Sequence, residues 1–188
     1  MKIDGIIGNK NLISKLMTVK LKGKNQFPIY NMAERLSYIT LEINSLSPCQ
    51  NYVMKPTIDK ILDINKSIPE CFDLTIGLMI DHGDEIIPFL PPIIEEHEIE
   101  GKIHLIVMDG MHRLYTARKI GETSINCILI QGLKYPYYAY PLENGWKDVV
   151  ELDVMVPGFE KKRYTEPDDY KALFRDINAV FPGIQKKR

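Results

Sequence analysis

Residues 102–130 leave the chain few folds to choose from. Ile103 to Met108 is a short, bounded and almost continuous apolar run, as a buried strand should be. Asp109-Gly110 interrupts it. Met111 to Ile120 then has the length of a helix, with Leu114, Ala117 and Ile120 close together around it, and Gly121 is the residue type that ends helices. Ser124 to Ile130 is a second apolar strand. Strand, turn, helix and strand in this order outline a βαβ unit. The expected class is α/β or α+β, with a mixed sheet.

The flanking sequence supplies further elements of both kinds. Glu100-Gly101 is a hairpin turn between Ile93–Glu98 and Lys102–Met108. Leu90-Pro91-Pro92-Ile93-Ile94 reads as extended chain, because two prolines exclude a helix and disfavour a central sheet position. Residues 9–20 predict a short helix and Gly23 to Pro28 a break. Tyr38 to Ile43 predicts a strand, Ser47-Pro48 a turn, and Pro56 the first turn of a helix that carries Ile58, Ile61 and Leu62 and ends near Pro69. Phe72 to Ile80 and Val149 to Val156 are expected to be strands, and Gly83-Asp84 a turn. A last helix carries Tyr170, Leu173, Phe174, Ile177 and Phe181 on one face, with Thr165 and Asp168 at capping spacing before it and Pro182-Gly183 ending it.

A chain of 188 residues with 45% hydrophobic content supports one globular unit. Within it we expect an N-terminal helix or arm over 1–36, a core over 37–132, and a helical C-terminal extension over 133–188 packed on that core. The net charge of −1 gives no global electrostatic case for nucleic acid, so such a partner is possible but not favoured. The basic residues are uneven, however: six lysines against Asp4 in the first 24 residues, and Lys186-Lys187-Arg188 at the end. Two readings of them stand, an arm that touches phosphates or a solvated helix face with a frayed tail. Cys49, Cys71 and Cys127 have no paired spacing, which argues against disulfides and zinc and for reduced thiols, with Cys127 in the core. No signal peptide and no membrane span is expected, and a cytoplasmic location is the expectation that goes with it.

The turn after residue 108 is where chemistry is expected. A buried strand delivers Asp109, Gly110 permits close backbone approach, and the next residues open a helix whose first N–H groups lack internal partners. Such an end suits a phosphate. His112 and Arg113 fall in the first turn and add donors, the arginine as a planar fork. Asp109 beside a bare phosphate is unfavourable, so it would hold Mg²⁺ or take a proton from an attacking hydroxyl. The plainer alternative is that Asp109 caps the helix while His112 and Arg113 lie on the surface.

The stretch from Val107 to Gly121, with Asp109-Gly110-Met111-His112-Arg113 at its head, resembles the signature helix of the ParB/sulfiredoxin superfamily. The strand at Ile39 to Ile43, the Leu46-Ser47-Pro48 turn and the proline-led strand at Leu90 to Ile94 are similar as well, so the likeness spans about residues 37–130. Met111 stands where sulfiredoxins carry their reactive Cys. His112 stands where partition proteins carry an Arg, and one clear helix comes after residue 157 where those proteins have a helix-turn-helix domain. The Asp-Gly-x-His-Arg version is most similar to the free-serine kinase branch, which moves phosphate from ADP or ATP to the serine hydroxyl.

The resemblance implies that Gly110, Met111, His112, Arg113 and Leu114 bind the nucleotide, ATP or ADP or in some branches CTP. It implies that Asp109 sits near the metal, Mg²⁺, and the transferred group, with Asp109, His112 and Arg113 catalytic. The kinases carry a base in a Glu after the first proline turn. Here that stretch is Ser47-Pro48-Cys49-Gln50, and Gln50 is no base at neutral pH; Glu42 is the substitute considered. The expected partners are a nucleotide and a small-molecule substrate. The rival expectations are a nucleotide-gated DNA-binding module and a nuclease or nucleotide hydrolase.

Other residues carry two readings each. His97 and His104, with Glu95, Glu96 and Glu98 nearby, suggest either a metal site or a solvated charged strand, the latter preferred. His82, between Asp81 and Asp84, reads as a polar turn. Trp146 either packs in a satellite core or stacks on a ligand. Tyr135, Tyr137, Tyr138 and Tyr140 either pack the extension or stack on single-stranded nucleic acid.

Overall fold

In a computed structural model, residues 2–22, 26–67, 77–81, 86–137, 139–163 and 170–181 are described. In chain order the elements are β1 (Lys2–Ile6), α1 (Asn9–Leu16), β2 (Arg35–Glu42), β3 (Leu46–Ser47), β4 (Tyr52–Met54), α2 (Lys55–Ser67), β5 (Leu78–Asp81), β6 (Ile86–Phe89), β7 (Ile93–Ile99), β8 (Lys102–Asp109), α3 (Met111–Lys119), β9 (Ser124–Gln131), β10 (Val150–Leu152), α4 (Tyr170–Leu173) and α5 (Ile177–Val180). The class is α+β.

A five-stranded mixed sheet in the order β2-β9-β7-β8-β3 forms the centre. Its inner strands are covered on both faces, which is why they read as apolar runs rather than as alternating ones. Ile93, Ile106, Ile128 and Ile130 face a core closed by Leu12, Leu16, Tyr30 and Phe181. Ile94, Val107, Cys127 and Leu129 face a second core made by Met111, Leu114 and Ala117 of α3, by Ile58 of α2 and by Trp146. Two smaller sheets lie outside it. One has the order β1-β5-β6, and the other pairs β10 with β4 in parallel.

Several expectations hold. The hairpin β7–β8 turns through Glu100 and Gly101, both at positive φ, 53° and 75°, which a two-residue loop of this hand requires. Pro91-Pro92 stops short of β7, so the central strand itself is free of proline. Gly121 leaves α3 at φ 94°.

Others are corrected. β8 and β9 do not form a parallel βαβ unit: β7 lies between them, antiparallel to β8 and parallel to β9. The helix therefore joins two antiparallel strands that never touch. Ile120 is 43% exposed, because α3 stops at Lys119 and Gly121 turns the chain away; Met111 takes its place on the buried face. The first helix ends at Leu16 rather than residue 20. The strand expected over 149–156 is limited to β10, with Val154 and Met155 exposed. The single C-terminal helix is broken into α4 and α5, since Arg175 between them bridges to Leu21 and sends its side chain inward. The helix end near Pro69, residues 72–76, Cys71, His82 and its turn, Tyr138, the Thr165–Asp168 cap, Pro182-Gly183 and the basic tail lie outside the described residues.

The largest correction concerns Glu95 and His97. They point into the core from the central strand, 0% and 5% exposed, and do not form a solvated strand. Glu95 receives Arg175 at both oxygens, Nε to Oε1 at 3.0 Å and the terminal nitrogen to Oε2 at 3.1 Å. The Tyr30 hydroxyl donates to Oε1 at 2.8 Å, and His97 Nε2 lies 2.7 Å from Oε2. Burial alone would raise this carboxyl's pKa. The Arg175 charge, followed by the hydrogen bond and charge of His97, outweighs burial and holds it at about 2. Among the described residues no cluster of three or more His, Cys, Asp or Glu is placed to hold a metal.

Candidate functional site

The corner between β8 and α3 starts with a register fault. Ile93 pairs with Asp109 but Ile94 with Val107, so Met108 is the extra residue of a β-bulge. A bulge leaves its extra residue out of the ladder and re-aims the neighbouring side chain. The carbonyl of Met108 instead accepts from Lys162 Nζ at 2.5 Å. Asp109 then leaves the sheet with its side chain 35% exposed.

Gly110 sits at φ 92°, a left-handed position at the head of α3. A Cβ there would lie 3.0 Å from Pro92 Cα and 3.2 Å from a terminal nitrogen of Arg113, so glycine is required by backbone angle and by space together. The carbonyl of Gly110 accepts the first helical bond, from the Leu114 amide at 2.9 Å. Gly110, as the N-cap residue, has no side chain with which to cap the helix, and no acidic residue lies in its first turn. The amides of Met111, His112 and Arg113 are thus presented at the corner with the positive end of the helix dipole.

Arg113 folds back on the corner. A terminal guanidinium nitrogen lies 2.5 Å from Asp109 Oδ2, and the group stacks 5.2 Å above the Phe89 ring. Burial lowers its pKa, while the charge of Asp109 and the hydrogen bond to it act the other way; an arginine so far above neutrality keeps its charge. His112 does a different job from the one expected. Its Nε2 accepts the Met54 amide at 2.9 Å, so that nitrogen carries no proton and ties α3 to the junction of β4 and α2.

The corner has two walls. Pro92 and Phe89 form one. The other is the segment around residues 159–163, laid over residues 49–52. There Glu160 N–H donates to Asn51 Oδ1 at 2.9 Å, Arg163 N–H donates to the Cys49 carbonyl at 3.0 Å, and Phe159 meets Tyr52 edge to face. Cys49 is fully buried, its thiol donating to the Val107 carbonyl, and burial pushes its pKa up.

The expected site residues therefore divide. Asp109, Gly110 and Arg113 converge with the amides of Met111 and His112. The side chains of Met111 and Leu114 are 5% and 0% exposed and belong to the core, so Met111 offers only its amide and Leu114 only its packing. Glu42 lies elsewhere, exposed at the end of edge strand β2. It stands three strands over and four residues along from Asp109, about 14 Å across and about 13 Å along the sheet at strand spacings. Gln50 is buried, its amide donating to the Tyr52 carbonyl. Trp146 is a core residue, donating to the Ile43 carbonyl at 2.9 Å. Tyr137 packs edge to face on His97 and Tyr140, and Tyr135 on Phe27. Of the N-terminal lysines, Lys15 lies over Phe181 and Lys22 over Phe174, with Lys22 also paired to Asp176. No helix among the described residues is long and apolar enough to cross a membrane.

Sequence reasoning missed Lys162, Phe89 and Met54. Only the first left a signal, as part of the run Lys161-Lys162-Arg163.

A family model described as the ParB CE domain matches residues 11–150 of the chain. No curated protein and no solved structure matches it.

Proposed function

The chain belongs to the ParB CE domain family, and from that premise we propose that it binds a nucleotide through its phosphates at the β8–α3 corner and transfers a phosphoryl group from ATP or ADP to a small hydroxyl compound such as free serine. The observation that carries this reading is the first turn of α3 behind left-handed Gly110, which offers no capping side chain of its own, with Arg113 folded onto the same corner. The amides at the start of a helix, its dipole and a guanidinium are a phosphate's preferred ligands.

The residues also fit a magnesium ion of the kind that travels with a nucleotide. Mg²⁺ is commonly held by one or two carboxylates plus phosphate oxygens and waters, and Asp109 is the carboxylate at this corner. Bound there, the metal would neutralise developing charge on the phosphates. With Asp109 so engaged, Arg113 would exchange its carboxylate partner for a phosphate oxygen. His112 and Met54 hold the helix start in register, and Pro92 and Phe89 exclude water from one side. Glu42 is too distant to take the acceptor's proton, and Gln50 is committed to Tyr52. Of the groups expected at the site, the Asp109 carboxylate, through the oxygen that does not face the metal, would orient the hydroxyl and accept its proton. Phosphoryl transfer depends mainly on positioning and electrostatic stabilisation, so one weak base suffices.

The test is calorimetry with ATP, ADP, CTP and GTP, each with Mg²⁺, on wild type and on Arg113→Ala. A selective nucleotide should bind wild type and lose about tenfold or more on loss of the guanidinium's charge-assisted bonds. The variant binding as tightly as wild type would remove the site assignment. Phosphorus NMR with free serine then reports transfer.

A further inference from the structure

Residues 170–181 pack on the face of the central sheet that carries Glu95, and they are held there unevenly. Helices α4 and α5 have four residues each, too few to be stable alone. Leu173, Phe174, Ile177 and Val180 are only half-buried, and among residues 172–181 only Arg175 and Phe181 are buried. Two backbone hydrogen bonds fix the segment to the stretch after α1. Lys22 N–H donates to the Phe174 carbonyl at 2.9 Å, and Asp176 N–H to the Lys20 carbonyl at 2.8 Å.

The deepest anchor is the ion pair of Arg175 with Glu95. Separating an ion pair differs from separating apolar groups. Apolar side chains drawn apart lose the whole benefit of burial. Two buried charges drawn apart into water regain the hydration they gave up, which offsets much of the lost attraction. That return comes only if the segment leaves as a unit and takes the guanidinium with it. A segment with few buried apolar contacts belongs to the parts of a fold that open locally.

The surroundings of Glu95 set what a proton does. Arg175 reaches it from the segment, Tyr30 from the stretch before β2 and His97 from its own strand, and the buried Cys49 thiol feels its charge. With the segment closed, burial raises the carboxyl's pKa, but Arg175 and then His97 outweigh it and hold the group at about 2. With the segment gone, water enters and the Arg175 charge leaves, so the carboxyl moves back towards 4.5. Between those values the open form binds a proton that the closed form refuses.

We propose that residues 170–181 are a strap that opens as a unit while the central sheet stays folded, and that a proton on Glu95 favours the open form. Opening takes up one proton and bares the core face that Phe181 closes with Leu12, Leu16 and Tyr30.

The experiment is amide hydrogen exchange by NMR on the full chain between pH 6 and 3.5, corrected for intrinsic rates. The Lys22 and Asp176 amides report the strap. The Ile128 amide, which donates to the Pro92 carbonyl at 2.9 Å, reports the sheet. The strap amides should exchange about tenfold or more faster than Ile128, and low urea should speed Ile128 while hardly changing them. Their protection should fall about tenfold from pH 6 to 3.5. Equal rates at all three amides overturn the proposal, because the segment then leaves only when the sheet unfolds. Strap protection that stays constant over this pH range overturns it as well. Glu95→Gln, which holds no charge for Arg175, should leave the strap amides weakly protected already at pH 6, with no further loss in acid. Strap amides as well protected as in wild type would refute the role of Glu95. If Glu95→Gln does not fold, the wild-type profile decides alone.

Discussion

Glu95 should make this protein's stability fall steeply in acid, by an amount that its surroundings fix. The carboxyl's ordinary pKa is 4.5, and in the folded chain it is held at about 2. A folded pKa below the unfolded one adds stability that is fully present above pH 4.5 and is lost as pH falls towards 2. The difference between 4.5 and about 2, at ~1.4 kcal/mol per pKa unit, gives about 3.5 kcal/mol, a sizeable part of a domain's total. Glu95→Gln is the matching perturbation. It leaves Arg175, 1% exposed, without a counter-charge, and breaking a buried pair from one side costs about 3–5 kcal/mol. Urea unfolding of wild type and Glu95→Gln from pH 7 to 2.5 separates this group from every other carboxylate. The gap between the two proteins should be several kcal/mol at neutral pH and should shrink below pH 4.5, as Glu95 in the unfolded wild-type chain takes up a proton that the folded chain does not bind until about pH 2. A gap that stays constant across that range would refute the electrostatic account. The double variant Glu95→Gln/Arg175→Met should recover part of the loss, because the stranded charge is gone.

Two more outcomes concern the corner and its surroundings. Gly110→Ala places a Cβ against Pro92 at a left-handed φ; it should cost about 1–3 kcal/mol in unfolding free energy and abolish nucleotide-induced thermal shifts, which a melt with and without ligand checks. Burial pushes the thiol of Cys49 up and that of Cys127 up to about 12, so in a Cys71→Ser background neither should react with Ellman's reagent at pH 8 until denaturant is added; fast reaction in the native state would contradict their burial.

The parts of the fold legible in sequence are those set by neighbouring residues. Glu100-Gly101 specifies its own turn, Gly110 and Gly121 bracket α3, and the Asp109 to Arg113 motif points to the family that the ParB CE domain match establishes. Strand neighbours were not legible, because apolar runs such as Ile103–Met108 and Ser124–Ile130 say that a strand is buried and not beside which other one. The interior charges were hidden for a related reason. Glu95-Glu96-His97-Glu98 reads as solvated, yet period-two alternation sends the first and third residues inward, where the compensating Arg175 lies 80 positions later. Lys162 was missed at the candidate site because its partner, the Met108 carbonyl, exists only once the bulge forms. Glu42 is suggested by chain order alone, which cannot see that β2 lies at the far edge of the sheet.

The joining of Arg175 to Glu95 also bears on how the protein is made. On the ribosome the central strand's acid emerges 80 residues before its counter-ion, so this half of the molecule cannot close dry until Arg175 has followed it. Until then the acid is better left in water, and the nascent chain must keep one side of its sheet open.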